Sequence, residues 1–240
     1  TRSTPVVMQG ITGRAGQSHF RLMRAYGTNI VAGVSPRSAG GNIDGVPLFG
    51  TCAEAIAATG AKASIMFVGA EQLLGAMEEA VAAGVTLIVT PTEGMPIHDA
   101  LKAKRLTLDR KVIWIGPSTP GMVVPGEAKL GFLPNTTLAP GPLGIMSKSG
   151  TLSYESGYRL VQQGIGQSVW VGVGGDPVKG VRFADLVPFY AADSQTEAVL
   201  IIGEIGGAEE EEFAKAVVAH GLKKPAFALI AGRSAPEGVN

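Results

Sequence analysis

Several short segments of this chain carry residue types that hold anions or polarise a reacting group, and each directly follows an apolar run. The first is Gly10-Ile11-Thr12-Gly13-Arg14-Ala15-Gly16. Glycines let the backbone approach a phosphate, and the helix start that follows offers free N–H groups and a positive dipole end. The spacing is GxxGxxG rather than GxGxxG, so a turn kept only for close packing is the alternative. The second is Ser147-Lys148-Ser149-Gly150-Thr151, small polar residues at a strand-to-helix junction, an anion site or an empty N-cap. The third is the tight turn Gly174-Gly175-Asp176-Pro177. The fourth, Gly203-Glu204-Ile205-Gly206-Gly207, sets Glu204 at the carboxyl end of a strand, where open α/β sheets place ligands; capping the next helix is its other possible role.

The segment Gly33-Val34-Ser35-Pro36-Arg37-Ser38 narrows the phosphate ligand. A domain that binds NAD carries an acid at this point for the ribose hydroxyls. Here an arginine and hydroxyls stand instead, a set that favours an additional ribose phosphate. NADP carries one at the 2′ position and CoA at the 3′ position. Arg37 as a solvated loop residue is the bland alternative.

The elements that must position these residues alternate. Short apolar strands are expected at Pro5–Gln9, Asn29–Val34, Ala63–Val68, Thr86–Val89 and Lys111–Ile115, with helices at Gln17–Tyr26, Ala53–Thr59, Glu71–Ala83 and Pro96–Leu108. This implies βαβ units and a parallel sheet. The Gly- and Pro-rich stretch Gly116–Pro142 suits neither helix nor central strand and marks a domain boundary. Alternation then resumes: strands at Leu143–Met146, Ser168–Val173, Ala198–Gly203 and Ala226–Ile230, helices at Thr151–Gln163, Phe183–Ala191 and Glu209–His220. The run Glu209–Glu212 reads as a solvated helix start, where acids suit the dipole. His19, His98 and His220 read as surface or capping histidines.

Composition bounds the class. The 240 residues are 45% hydrophobic and 17% charged, with 20 basic and 20 acidic side chains. That balance points to neither nucleic acid nor a membrane surface as partner. One cysteine, Cys52, rules out an internal disulfide framework and suits a reducing compartment, cytosolic or mitochondrial matrix. No stretch is long and apolar enough for a membrane span, and no metal site is read.

Taken in order, Gly10–Gly16, Thr92-Glu93-Gly94-Met95-Pro96, Gly116-Pro117-Ser118-Thr119-Pro120-Gly121, Ser147–Thr151, Gly174–Pro177 and Glu204–Gly207 resemble the α subunit of the succinyl-CoA synthetase family. They are also similar to the corresponding segments of malate–CoA ligases and ATP-citrate lyase, and the match runs along essentially the whole chain. The resemblance implies an α/β fold: a Rossmann-like CoA-binding domain over residues 1–120, a connection over 121–142, and a flavodoxin-like ligase domain over 143–240, incomplete at its C-terminus. It implies CoA contacts at Thr12, Gly13, Arg14 and Ala15 and at Pro91, Thr92 and Glu93. The family's lysine after the second strand falls on Ser38, with Arg37 beside it as a replacement charge. Ser149, Gly150 and Thr151 correspond to a phosphate site, Tyr154 to a substrate-contacting tyrosine, and Glu204 to the carboxylate that orients a catalytic histidine. Succinate-specific relatives carry Asn-Cys where this chain has Ser118-Thr119, which leaves succinate, malate or citrate open as the acid.

The implied reaction is NTP-dependent carboxylate–CoA ligation through a phosphohistidine. The histidine is expected a few residues beyond Asn240, since Ala231–Asn240 resembles the lead-in to a Met-Gly-His-Ala-Gly loop. The sequence GxxxxGK(S/T) is absent, so ATP or GTP, with Mg, is expected to be bound mainly by a β subunit. Two rivals stand outside this class: an NADP-dependent reductase and a non-catalytic CoA-binding module.

Overall fold

In the computed structural model, residues 1–232 are described. The first unit contains β1 (Val6–Gln9), α1 (Arg14–Tyr26), β2 (Ile30–Val34), β3 (Asn42–Ile43), β4 (Val46–Phe49), α2 (Cys52–Thr59), β5 (Ala63–Met66), α3 (Leu73–Ala82), β6 (Leu87–Val89), α4 (Ile97–Asp109) and β7 (Ile113–Ile115). Its strands lie in the order β3-β4-β2-β1-β5-β6-β7. All neighbours are parallel except β3 and β4, which form a small hairpin. From β4 to β7 this is the doubly wound dinucleotide-binding order, with its switch point between β1 and β5. All of β1 is buried because helices cover both faces of the sheet. α1 presses Phe20 and Met23 onto the sheet and ends at Gly27, whose φ of 112° lets its N–H and that of Thr28 return to Arg24 and Met23 carbonyls. Thr51 and Glu54 close a reciprocal capping box on α2. Within α2, burial first and Glu79 second push the Cys52 thiol up to about 12, so it stays a protonated core group. The β3–β4 hairpin lies outside the expected pattern, because its strands are short and one contains Pro47.

The second unit contains β8 (Gly121–Val124), β9 (Ala128–Gly131), β10 (Pro140–Ser147), α5 (Gly150–Gln162), β11 (Gln167–Gly172), α6 (Phe183–Ala192), β12 (Ala198–Glu204), α7 (Glu209–Ala219) and β13 (Ala226–Ala231). Strand order is β13-β12-β10-β11-β8-β9. The parallel part, β11-β10-β12-β13, follows the flavodoxin-like order, with its switch point between β10 and β12. Under it lies Tyr190 of α6. Its hydroxyl donates to the Ile145 carbonyl at 2.8 Å and the Val169 carbonyl at 3.2 Å, and its ring fills space that a Cβ on Gly144 would enter at 2.5 Å. At the outer edge, β13 leaves Phe227, Leu229 and Ile230 exposed at 57%, 46% and 43%.

The stretch 121–142, expected as a connection, is corrected by the structure. Gly121–Gly131 forms the β8–β9 hairpin, and β8 pairs antiparallel with β11. Pro125 sits in the hairpin turn, where it interrupts no ladder. Gly121 and Gly131 face each other so closely that a Cβ on Gly121 would lie 1.9 Å from the Leu130 carbonyl oxygen. The glycines therefore mark a tight crossing of backbones.

The hairpin also packs on the first unit. Thr28 and Lys129 exchange hydrogen bonds, from Thr28 Oγ1 to the Lys129 carbonyl at 2.8 Å and from Lys129 N–H to Thr28 Oγ1 at 3.0 Å. His19 is not the surface residue its sequence context suggests. Its ring stacks on Phe67 at 5.0 Å and tilts against Phe132 at 5.7 Å, with Nδ1 buried and without a partner among the described residues. Desolvation first, then the Lys129 charge, lowers its pKa below the usual 6.5.

Tyr190→Phe should destabilise the protein by about 1–2 kcal/mol without altering the fold, measured by urea unfolding with circular dichroism. For His19, the unfolded chain takes up a proton before the folded chain does. Stability is therefore full above pH 6.5 and is lost as pH falls from there toward the lowered folded value. His19→Phe, which keeps the aromatic stack, should lose less stability than the parent over that acid window. Equal losses in the two urea series would place the effect on other groups.

Candidate functional site

Two of the crevices at the carboxyl ends of the strands gather the expected residues. The first, of about 480 Å³, lies at the switch point of the first sheet and is lined by residues that follow β1, β2 and β5, among them Gly10, Thr12, Ser35, Arg37 and Val68. The glycine loop comes close because it has no side chains in the way: a Cβ on Gly16 would sit 2.1 Å from the Gly10 carbonyl oxygen, and Gly10 itself has φ 75°. Thr12 and Ser35 share a hydrogen bond of 3.0 Å between hydroxyls, joining the loop after β1 to the end of β2. Arg37 is exposed on a turn of 3-10 helix over Pro36–Ser38. Glu79 also lines the crevice, but Oε1 of its carboxylate accepts the Cys52 N–H at 2.7 Å.

The expected CoA contacts do not all face this crevice. Arg14 opens onto a neighbouring surface with Gln17, Ser18 and Arg21. Gly13 and Ala15 are exposed on the loop. Ser38 is half-buried, its N–H bonded to the Ser35 carbonyl. Pro91 is buried, and Thr92 donates its hydroxyl to the Val68 carbonyl at 2.9 Å. Glu93, the next residue, is exposed.

The second crevice, of about 360 Å³, lies between the two units. It gathers Glu93 from the loop after β6, Ser118, Thr119 and Pro120 from the loop after β7, Lys148 to Thr151 and Tyr154 from the start of α5, Gly175 after β11, and Glu204 at the end of β12. Residues expected to contact phosphate, acid substrate and histidine are thus brought to one place, together with Glu93 from the expected CoA set. At the start of α5, the Ser149 hydroxyl accepts the Leu152 N–H at 3.3 Å. Gly150 and Thr151, the next two residues, have N–H groups with no carbonyl one turn back, so they and the helix dipole face the cavity. Burial raises the Tyr154 pKa, keeping the phenol a hydrogen-bond donor.

Ser118 and Thr119 differ. Thr119 is buried; its hydroxyl donates to the Gly172 carbonyl and accepts the Gly121 N–H at 2.9 Å. Ser118 sits at φ 56° and lies close enough to Asp176 to influence its charge. Burial first, then the Glu93 charge, raises the Asp176 pKa, with Ser118 and Lys179 opposing. Asp176 lines a neighbouring recess with Lys179 and Arg182 rather than this cavity, and it keeps its proton to higher pH than a free aspartate.

The cavity also takes residues not expected as site residues, among them Pro120 and Gly175 from recognised motifs, Lys148 and Phe132. Lys148 lies inside the recognised Ser147–Thr151 motif, and only its position there could have suggested it. Phe132 comes from the β8–β9 hairpin and carries no signal in the sequence. The acidic run at the start of α7 is also corrected: it is largely paired rather than solvated. Glu209 meets Lys179 at 2.7 Å with both side chains buried, Glu210 meets Lys148 at 3.1 Å, and Glu212 meets Arg182 at 3.2 Å. These cations all come from loops or strand ends that sequence spacing cannot place. No histidine lines the cavity among the described residues. Among them, too, no helix is long and apolar enough to cross a membrane, and no group of acidic, His or Cys side chains is disposed to hold a metal.

Comparison with known proteins agrees with both halves of this arrangement. Residues 1–94 match the CoA binding domain family and residues 146–239 the CoA-ligase family. The chain is 45% identical over 239 residues to the succinate–CoA ligase (ADP-forming) alpha subunit of Aquifex aeolicus, covering 99% of this chain and 78% of that protein. It is 42% identical to the malate–CoA ligase alpha subunit of Methylorubrum extorquens, covering 98% and 80%. Among solved structures it superposes on the ATP citrate lyase of Methanothrix soehngenii in complex with citrate and coenzyme A. That match has a TM-score of 0.85 at 22% identity and covers 99% of this chain and 42% of that one. The dinucleotide-forming acetyl-coenzyme A synthetase 1 of Ca. Korarchaeum cryptofilum gives 0.81 at 22%, covering 96% and 50%. The chain thus spans about half the length of these structures or less, and at this identity they bear on fold alone. With relatives above 40% identity aligned along nearly its whole length, the chain belongs to the succinate–CoA ligase alpha-subunit family of acid–thiol ligases.

Proposed function

We propose that this chain works as the alpha half of a nucleoside-triphosphate-dependent carboxylate–CoA ligase, with CoA on the glycine-loop domain and phosphoryl transfer in the cavity between the sheets. The observation that carries the reading is the convergence of the Gly150–Thr151 helix start, Tyr154 and Glu204 with Glu93 and Ser118 around one cavity. A β-type subunit brings ATP or GTP with Mg.

The first crevice suits CoA. Its loop has room for a diphosphate against bare backbone, and Arg37 stands where a ribose phosphate would emerge. Bound CoA supplies the thiol that accepts the acyl group. In the cavity between the sheets, the N–H groups of Gly150 and Thr151 stabilise the charge of a phosphoryl group in transit. Glu204 holds the N–H of a histidine ring, so that the opposite nitrogen is free to take the phosphoryl group. Ser118, rather than the internally bonded Thr119, meets the acid substrate, with Tyr154 opposite.

The test is to assemble the full-length subunit with its β-type partner and add labelled ATP or GTP. An acid-labile, base-stable phosphohistidine should form on this subunit and should discharge with CoA and one of succinate, malate or citrate. CoA binding with no phosphorylation under any nucleotide would favour a non-catalytic CoA-binding module. For the CoA site, Arg37→Ala should weaken CoA by about tenfold to a hundredfold, as loss of a charged hydrogen bond does. The same change should leave dephospho-CoA nearly unaffected in calorimetric titration. Equal losses for both ligands would remove Arg37 from the 3′-phosphate.

A further inference from the structure

Glu204 sits where the sheet loses a neighbour. On one side the ladder to β13 continues, with the Ile205 N–H donating to the Ala231 carbonyl at 3.0 Å. On the other side β10 ends at Ser147 and turns into α5, after a last bond from the Lys148 N–H to the Ile202 carbonyl. The Glu204 N–H therefore has no strand carbonyl to meet. Glu210 of α7 takes that place: its Oε1 accepts the Glu204 N–H at 3.2 Å.

The same oxygen accepts Lys148 Nζ at 3.1 Å, and Lys148 Nζ also donates to the Gly206 carbonyl at 3.3 Å. The glutamate grips the backbone at Glu204, and the lysine grips it two residues later. Just beyond the strand the chain turns sharply, with Gly206 and Gly207 both at positive φ, 101° and 76°. Both gripping side chains are largely buried, at 9% and 17% exposure. The approach depends on Gly203, where a Cβ would lie 2.2 Å from Glu210 Oε1. Lys148 is also the residue before Ser149, the N-cap of α5.

We propose that Lys148 and Glu210 are positioning residues: they hold the Glu204 carboxylate at a set place relative to the Gly150–Thr151 helix start. This rests on the reading above that Glu204 orients the histidine for phosphoryl transfer. The pair works through Glu204: Lys148 lines the cavity, but its ammonium is turned to Glu210 and the Gly206 carbonyl, and Glu210 lies outside the lining. It joins the two strand ends of the switch point, β10 and β12, through one shared oxygen.

The experiment uses the full-length subunit in complex with its β-type partner. It reads the rate of histidine phosphorylation from γ-labelled ATP, with GTP in parallel, and the CoA Kd for each variant. Glu210→Ala and Lys148→Met should slow phosphorylation by about tenfold to a hundredfold, as loss of outer partners of a working group does, with CoA affinity unchanged. Glu210→Gln, which keeps an acceptor for the Glu204 N–H and the original volume, should retain more activity than Glu210→Ala. It also keeps the test open if Glu210→Ala does not fold. In a Glu204→Ala background, neither Glu210→Gln nor Lys148→Met should slow the reaction further. A wild-type rate for both Glu210→Gln and Lys148→Met overturns the proposal, as does a slowing that persists at full size without the Glu204 carboxylate. If Glu204→Ala alone phosphorylates at the wild-type rate, the assigned role of Glu204 fails, and the positioning proposal with it.

Discussion

Two parallel sheets can share one site only if their carboxyl edges are kept at a fixed separation, and here backbone is laid against backbone to do it. A Cβ on Gly180 would sit 1.8 Å from the Trp114 carbonyl oxygen, one on Gly174 2.2 Å from that of Pro117, and one on Gly172 2.5 Å from the Pro120 ring. The Gly180 N–H donates across the seam to the Gly116 carbonyl at 2.9 Å, and Lys104 reaches the Gly180 carbonyl. Interiors packed this closely do not deform continuously, so the loop that carries Ser118 and the helix start that carries Ser149 keep their spacing. The cavity between them follows from this seam.

Much of the architecture was legible in the residues. Buried parallel strands advertise themselves as short Val- and Ile-rich runs, and amphipathic α1, α3 and α4 show their period. The glycine loop and Ser147–Thr151 sit at strand-to-helix junctions, where local chemistry and topology coincide. What was not legible depended on long-range contact. The β8–β9 hairpin reads as a linker because its glycines serve a crossing of backbones, which leaves no periodic trace. His19 reads as a helix-surface residue because nothing local reveals Phe67 and Phe132 on either side of it. Thr119 looks equivalent to Ser118 until the Gly172 carbonyl is seen to occupy its hydroxyl.

The acidic start of α7 shows the same limit in its charges. A run of glutamates at a helix start has a sufficient local explanation in the dipole, yet Glu209 is buried against Lys179 and also accepts the Phe183 N–H of α6 at 3.2 Å. Burial lowers the Lys179 pKa, and Glu209 works against that shift. Such a pair adds little net stability, because desolvation offsets attraction. Its effect is on placement. Each cation comes from a different point, Lys148 after β10, Lys179 after β11 and Arg182 before α6, so α7 can dock in only one register.

The outer strand β13 is apolar on the side turned away from β12. Ala226-Phe227-Ala228-Leu229-Ile230-Ala231 is uncharged, free of proline and apolar on the side that no neighbour covers among the described residues. Segments of that kind template the pairing of identical strands from other molecules and seed fibrous aggregates. The three residues before it, Lys223-Lys224-Pro225, are of the type that blocks such growth, a charge and a residue without N–H at the strand's entrance. Lys224 is already engaged, its ammonium donating to the carbonyls of Tyr190 and Asp193 at 2.6 and 2.5 Å. That leaves Lys223 and Pro225 to guard the strand's entrance while the chain folds.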